Sequence, residues 1–199
     1  MDDHYYSPQP QSASRPKEIE FRIKGHVLTL KTDRGVFSKE NVDFGTRLLI
    51  ETFEFPNIEG PLLDMGCGYG VIGLSMKALY PDKKVTMVDI NERAVALASE
   101  NARLNGLDAN VFQSNLYDRV TGHYAAIISN PPIRAGKKVV HNILEGAKEF
   151  LLPGGELWVV IQKKQGAPSA LKKLQETYDE VSVVQKSKGY YVICAKKAG

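Results

Sequence analysis

The chain has 199 residues, 43% hydrophobic, 25% charged and 9% aromatic. That suits one domain of roughly 150 residues with room for an extension, and excludes a disulfide-stapled peptide or disorder over the whole length. Lys and Arg total 26 against 23 Asp and Glu, and the net charge of +3 permits a nucleic-acid partner without requiring one.

The two cysteines, Cys67 and Cys194, form no CxxC pair. No apolar run reaches the roughly 18 to 20 residues of a membrane span, and Met1 to Tyr6 is neither basic nor apolar enough for a secretory leader. A cytoplasmic protein without a membrane partner is expected. Residues 1–17 read as a flexible tail, since Ser7 to Pro16 holds three prolines among Ser, Gln and Ala. Residues 18–31 alternate around Gly25-His26, with Ile19, Phe21 and Ile23 before the turn and Val27, Leu28 and Leu30 after it, which predicts an N-terminal β-hairpin.

Short continuous apolar runs then alternate with helical patterns: Pro61-Leu62-Leu63, Val85 to Val88, Ala125 to Ile128 and Leu157 to Ile161. Strands buried on both faces by crossover helices read this way. A helix is expected after Asn91, which can cap it; Ala94, Leu97, Ala98 and Ala102 share one face and Gly106 follows the end. Val139 to Leu152 and Ser169 to Tyr178 are further expected helices, the first stopped by Pro153-Gly154-Gly155. Two closing strands, Val181 to Gln185 and Tyr190 to Lys196, flank Lys186 to Gly189, a connection short enough to require antiparallel pairing.

Where the first apolar run ends, the sequence reads Asp64-Met65-Gly66-Cys67-Gly68-Tyr69-Gly70-Val71-Ile72-Gly73. Glycines at alternate positions let main chain turn sharply and approach a ligand. Gly68, Gly70 and Gly73 also fit the dinucleotide spacing, and Asp89 follows Gly70 by 19 residues. Asp89 suits ribose hydroxyls in a dinucleotide or in S-adenosylmethionine alike. The Asp64 carboxylate would sit poorly beside a pyrophosphate and well near the ammonium of a methionine moiety, which favours S-adenosylmethionine. With less function, Asp64 caps the next helix and the glycines make a turn.

Ser129-Asn130-Pro131-Pro132-Ile133 ends the run from Ala125, on the side of an open α/β sheet where ligands collect. The prolines remove two N–H donors, and an Asn amide oxygen beside a Pro carbonyl is an acceptor pair for an exocyclic NH2 group. Holding both amine protons turns the nitrogen lone pair toward an incoming methyl carbon, with no strong base required. His26, His123 and His141 are unclustered, so no metal is expected.

The order of the acidic glycine loop, Asp89 and Asn130-Pro131-Pro132-Ile133 resembles class I methyltransferases. Arg34 to Ser38, Asp43-Phe44-Gly45-Thr46 and Asn130 to Lys137 further resemble the small-subunit ribosomal RNA guanine-N2 methyltransferases. The resemblance implies a methyltransferase domain over residues 18–199. Its fold would be a Rossmann-like α/β domain with a seven-stranded, mostly parallel sheet in the order 3-2-1-4-5-7-6 and an antiparallel last strand, preceded by the hairpin. It implies S-adenosylmethionine as cofactor, held by Asp64, Gly66, Cys67, Gly68, Gly70, Asp89, Ile90, Asn115, Leu116 and Asn130. Asn130, Pro131, Pro132 and Ile133 would hold the target amine.

Ile133 stands where relatives often carry an aromatic residue, so Phe37 is the expected stacking partner of a flipped base. Asn115 stands where an acidic residue commonly accepts the adenine amine. Arg134 and Lys137 would meet phosphates of the partner, ribosomal RNA or the small ribosomal subunit. Methylation of a protein glutamine, a silent RNA-binding module and a nicotinamide dehydrogenase are the rival readings.

Overall fold

The computed structural model describes residues 17–33 and 41–199. Two lysine-glycine pairs set its hairpins: Lys24 and Gly25 (φ +45° and +81°), and Lys188 and Gly189 (φ +49° and +81°), are both left-handed. Such two-residue turns match the twist of antiparallel strands. The first joins β1 (Lys17–Ile23) to β2 (His26–Thr32), with Ile23 paired to His26. The turn therefore lies one residue before the expected Gly25-His26, and Lys17, assigned above to the tail, opens β1. Val27 lies on the outer face, 48% exposed, whereas Ile19, Phe21, Ile23, Leu28 and Leu30 are buried.

The main sheet contains β3 (Leu62–Met65), β4 (Val85–Asp89), β5 (Asn110–Gln113), β6 (Tyr124–Ser129), β7 (Leu151–Gln162), β8 (Glu180–Ser187) and β9 (Tyr190–Lys196). Its order is β5-β4-β3-β6-β7-β9-β8, with β9 antiparallel to both neighbours. This is the order and the antiparallel last strand that the resemblance implied. Strand order reverses between β3 and β6, which opens a crevice beyond their carboxyl ends.

Three helices cover one face: α1 (Phe44–Thr52), α2 (Val71–Leu79) and α3 (Glu92–Leu104). They share a core with the hairpin and with Leu62, Ile128 and Trp158 of the sheet. The other face packs α4 (Lys137–Phe150) and α5 (Ala167–Thr177) on Leu63, Ile127 and Val159. Alternate residues of each central strand thus feed opposite cores, as strands buried on both sides require. Among the described residues no helix is long and apolar enough to cross a membrane.

The hairpin is fastened to α3 through two amide side chains one helical turn apart. Asn101 accepts from the Lys31 N–H (2.8 Å) and donates to the Lys31 carbonyl (2.9 Å); Asn105 does the same to Thr29 (2.9 Å each way). Asn101, fully buried, also donates to the Tyr69 carbonyl in the glycine loop (2.8 Å).

One expected boundary is overturned. The helix read as Val139 to Leu152 ends at Phe150, and β7 starts at once at Leu151 and runs through Pro153-Gly154-Gly155. Register with β6 shifts there, from Tyr124 opposite Leu151 to Ala126 opposite Glu156. A Cβ on Gly155 would sit about 3 Å from the carbonyl oxygens of Leu152, Tyr124 and Ala125. The glycine admits a close backbone approach within the sheet instead of stopping a helix.

Candidate active site

A cavity of about 340 Å³ opens at the crevice, within the size range of small-molecule sites. Its first wall is the loop after β3. Gly66 and Cys67 both donate to the Val88 carbonyl (2.9 Å), which pins the loop to β4. Gly66 and Gly68 take φ of +76° and +55°, and a Cβ on Gly66 would meet no protein atom within 4 Å. Main chain therefore borders open space there. Gly70 and Gly73 serve packing: a Cβ on Gly70 would press on Leu74 and Ala98 at 3.2 and 3.3 Å, and one on Gly73 would strike Met87. Gly70 does not line the cavity.

Asp64 does not line it either. The carboxylate lies beneath the loop, fully buried, where Oδ2 accepts the Gly73 N–H in the first turn of α2 (2.9 Å). Oδ1 has no hydrogen-bond partner. Burial pushes the carboxyl up to about 7; the Gly73 bond opposes the rise and the Asp89 charge adds to it. Oδ2 thus makes the helix-capping bond that was the alternative reading of this residue, because α2 turns its unpaired N–H groups toward the end of β3.

Asp89 does border the cavity, 3% exposed, with Oδ1 accepting from the Asn91 N–H (2.8 Å) and Oδ2 from the Gly68 N–H (2.9 Å). Ile90 and Cys67 line the same wall. Burial, then the charges of Asp89 and Asp64, raise the Cys67 thiol well above its usual value, so it is no nucleophile.

After β5, Ser114 and Leu116 line the cavity, whereas Asn115 is exposed and off the wall. Leu116 takes φ +54°, rare for a bulky residue, and Ser114 Oγ holds it by donating to its carbonyl (2.7 Å). Of the expected pair Asn115 and Leu116, Leu116 lines the cavity, together with Ser114.

The opposite wall is assembled from several elements. Ser129 Oγ donates to the Met65 carbonyl (2.8 Å), locking β6 to β3. Asn130 Nδ2 donates to Thr46 Oγ1 (2.8 Å), which leaves the amide oxygen as acceptor. Thr46 is buried in the first turn of α1, where its N–H is capped by Asp43 Oδ1 (2.8 Å). Pro131, Pro132, Ile133 and Arg134 continue the wall. The Pro132 carbonyl accepts from the Ala135 N–H (2.9 Å) at a 3-10 turn over Ile133–Ala135, which leaves the Pro131 carbonyl as the proline partner of the Asn130 amide. Arg134 is exposed at the mouth; Lys137, exposed at the start of α4, lies off the wall. Phe37 lies outside the described residues.

The sequence reading did not single out Thr46, Tyr69, Gln162, Gln165 or Tyr190 as site residues, although all line the cavity. Thr46 stood inside a motif already noted, and Gln162 ends a strand on the ligand side of the sheet. Tyr190 carried no local signal, because it opens a strand that only sheet pairing brings to this edge.

The charges discriminate between ligand classes. Asp43 and Asp89 are on the wall with Asp64 behind it, and the one basic lining side chain among the described residues is Arg134 at the mouth. An inner cavity of that sign, over a buried orphan carboxylate oxygen, suits a cationic ammonium or sulfonium and not a pyrophosphate.

Comparison with known proteins agrees. Residues 27–194 match the family model of the methyltransferase small domain. The chain is 55% identical to the uncharacterized protein YbxB of Bacillus subtilis, over 99% of this chain and all of that one. It is 32% identical to ribosomal RNA small subunit methyltransferase C of Salmonella typhi, over 96% of this chain and 56% of that one. The chain thus spans about half the length of the ribosomal RNA methyltransferases it matches. Among solved structures, the Thermus thermophilus 16S rRNA N2 methyltransferase RsmC, in complex with AdoMet and guanosine, superposes with a TM-score of 0.79 at 23% identity. The match covers 92% of this chain and 50% of that one, and establishes likeness of fold.

Proposed function

Because the chain belongs to the methyltransferase small-domain family, whose cofactor is S-adenosylmethionine, we propose that it methylates the exocyclic N2 amine of a guanine in small-subunit ribosomal RNA. The observation that carries this reading is the Asn130 amide, tethered by Thr46 on the wall of the cavity that Asp89 and Gly66 also border. The cofactor supplies a methyl group on a positively charged sulfur, open to in-line displacement by an amine.

Gly66, Cys67 and Gly68 would hold the cofactor through main chain, Asp89 through its ribose hydroxyls, and Ile90 and Leu116 by packing on its adenine. Asp64 acts from beneath the loop, as a buried carboxyl that a neighbouring cation would draw toward its charged form. Asn130 Oδ1 and the Pro131 carbonyl accept the two N–H groups of the target amine, drawing its lone pair out of conjugation with the ring. The amine nitrogen turns acidic only after it is methylated, so its proton can pass to solvent without a general base. Arg134 at the mouth and Lys137 on α4 meet the phosphates beside the target. The relatives named for ribosomal RNA support this substrate over a protein glutamine.

The test is nucleoside mass spectrometry of ribosomal RNA from a deletion strain, paired with labelled methyl donor and purified subunits in vitro. The expected result is loss of one N2-methylguanosine in the small subunit and its restoration by the enzyme. Label in protein alone, or an unchanged nucleoside profile, would overturn the RNA reading.

A further inference from the structure

Two residues that line the cavity, Gln162 and Tyr190, have no role in the assignments above. Gln162, at the end of β7, is the register partner of Tyr190, the first residue of β9. Directly opposed residues of an antiparallel pair project to one face, and both line the cavity. The turn before Tyr190 is fastened to the segment after Gln162, since the Lys163 N–H donates to the Gly189 carbonyl (2.7 Å).

The Tyr190 ring is fixed in place by α1. Its centroid lies 5.7 Å from that of Phe44, tilted by 50°. A Cβ on Gly45 would fall 2.7 Å from the ring, so the α1 backbone rests against it. The next residue, Thr46, holds the Asn130 amide. Consecutive residues of one helix therefore set an aromatic ring and an amine acceptor in the same cavity. Ile133, directly after the prolines, offers no ring.

We propose that Tyr190 is the platform on which the base carrying the target amine stacks, the part that the sequence reading gave to Phe37 and that Ile133 has no ring to play. A planar heteroaromatic ring is the ligand class that such a surface recognises. The proposal rests on the reading of Asn130 as the acceptor of the target amine.

Three variants of the full chain test it. Tyr190→Leu should raise the KM for RNA or lower single-turnover methylation by about tenfold to a hundredfold, the scale of one lost base stack. Affinity for S-adenosylmethionine should change by less than about twofold, and Tyr190→Phe should keep near-parental values. A merely structural role would instead move cofactor affinity and melting temperature together.

The third variant, Tyr190→Trp, keeps a ring and reports binding directly. Titration with guanosine 5′-monophosphate, in the presence of S-adenosylhomocysteine, should quench the introduced indole; the parent, whose Trp158 is 5% exposed, gives the background. No quenching beyond that background, or unaltered RNA kinetics in a folded Tyr190→Leu, overturns the platform. If quenching occurs while the parent methylates no RNA, the platform stands and the ribosomal RNA reading is what fails.

Discussion

On the β3 and β4 side of the cavity the wall is largely main chain, supplied by Gly66 to Gly68 and braced by Asp64 and Asp89 through backbone N–H groups. On the β6, β7 and β9 side it is side chains, Thr46, Asn130, Gln162 and Tyr190, each from a different element. The first wall is built to hold any molecule with the right backbone-facing groups and charge. The second, on the proposed reading, orients one amine. Substitutions should separate accordingly, into losses of affinity on the first side and losses of rate on the second.

The largest expected effect is a pH dependence confined to the glycine-loop side. An unfolded Asp64 carboxyl loses its proton near pH 4, whereas the folded one loses it only near 7. Between those values the folded chain binds the extra proton, so stability falls as pH rises, by roughly 4 kcal/mol at most from this group. Denaturant titrations of cofactor-free protein from pH 4.5 to 8 should show that slope, and Asp64→Asn should flatten it. Parallel curves for parent and variant would remove the buried charge from the account.

On the acceptor side, Asn130→Ala should lower the single-turnover rate on the order of a hundredfold or more, with cofactor and RNA affinities little changed. Near-parental rates in a folded variant would reduce Asn130 to a strand-ending turn. Asp89→Ala should show the opposite pattern, weakening S-adenosylmethionine by about 1.5 to 3 kcal/mol in calorimetry while saturating cofactor restores the rate. A loss of rate that saturation does not rescue would blur the division between the walls.

Smaller effects sharpen it further. Thr46→Val removes the partner of Asn130 without touching the backbone N–H that Asp43 caps, and should cost about tenfold in rate. Rescue by Thr46→Ser and failure of rescue by extra cofactor would mark a positioning role. Replacing Arg134 and Lys137 together by Ala should flatten the slope of log RNA affinity against log salt by roughly one to two contacts. Identical slopes would take both residues off the RNA path.

The same contrast explains what the sequence made legible. The glycine loop, Asp89 and the Asn130 to Ile133 run are contiguous or strand-ending, so local pattern and resemblance sufficed for them. The direction of the Asp64 carboxylate was not legible, because cap and ligand contact use the same residue at the same strand end. That Ser114 and not Asn115 lines the cavity beside Leu116 was not legible either, because the left-handed turn at Leu116 has no glycine to announce it. Helix α1 spans nine residues with little room for periodicity, and its role in aiming Asn130 and Tyr190 exists only once β9 is inserted between β7 and β8. Pro153-Gly154-Gly155 looked like a helix stop because both a terminator and a close strand approach favour glycine.

The amides that fasten the hairpin bear on how the protein behaves in company. An open strand edge is a template for a strand of another molecule, and such edges seed self-association. Asn101 and Asn105 occupy the outer edge of β2 at Thr29 and Lys31 with four hydrogen bonds, presenting to it the donor-acceptor alternation of a neighbouring strand. A second copy reaching for that edge would have to break those four bonds before making any, so here the chain's own helix stands guard against aggregation.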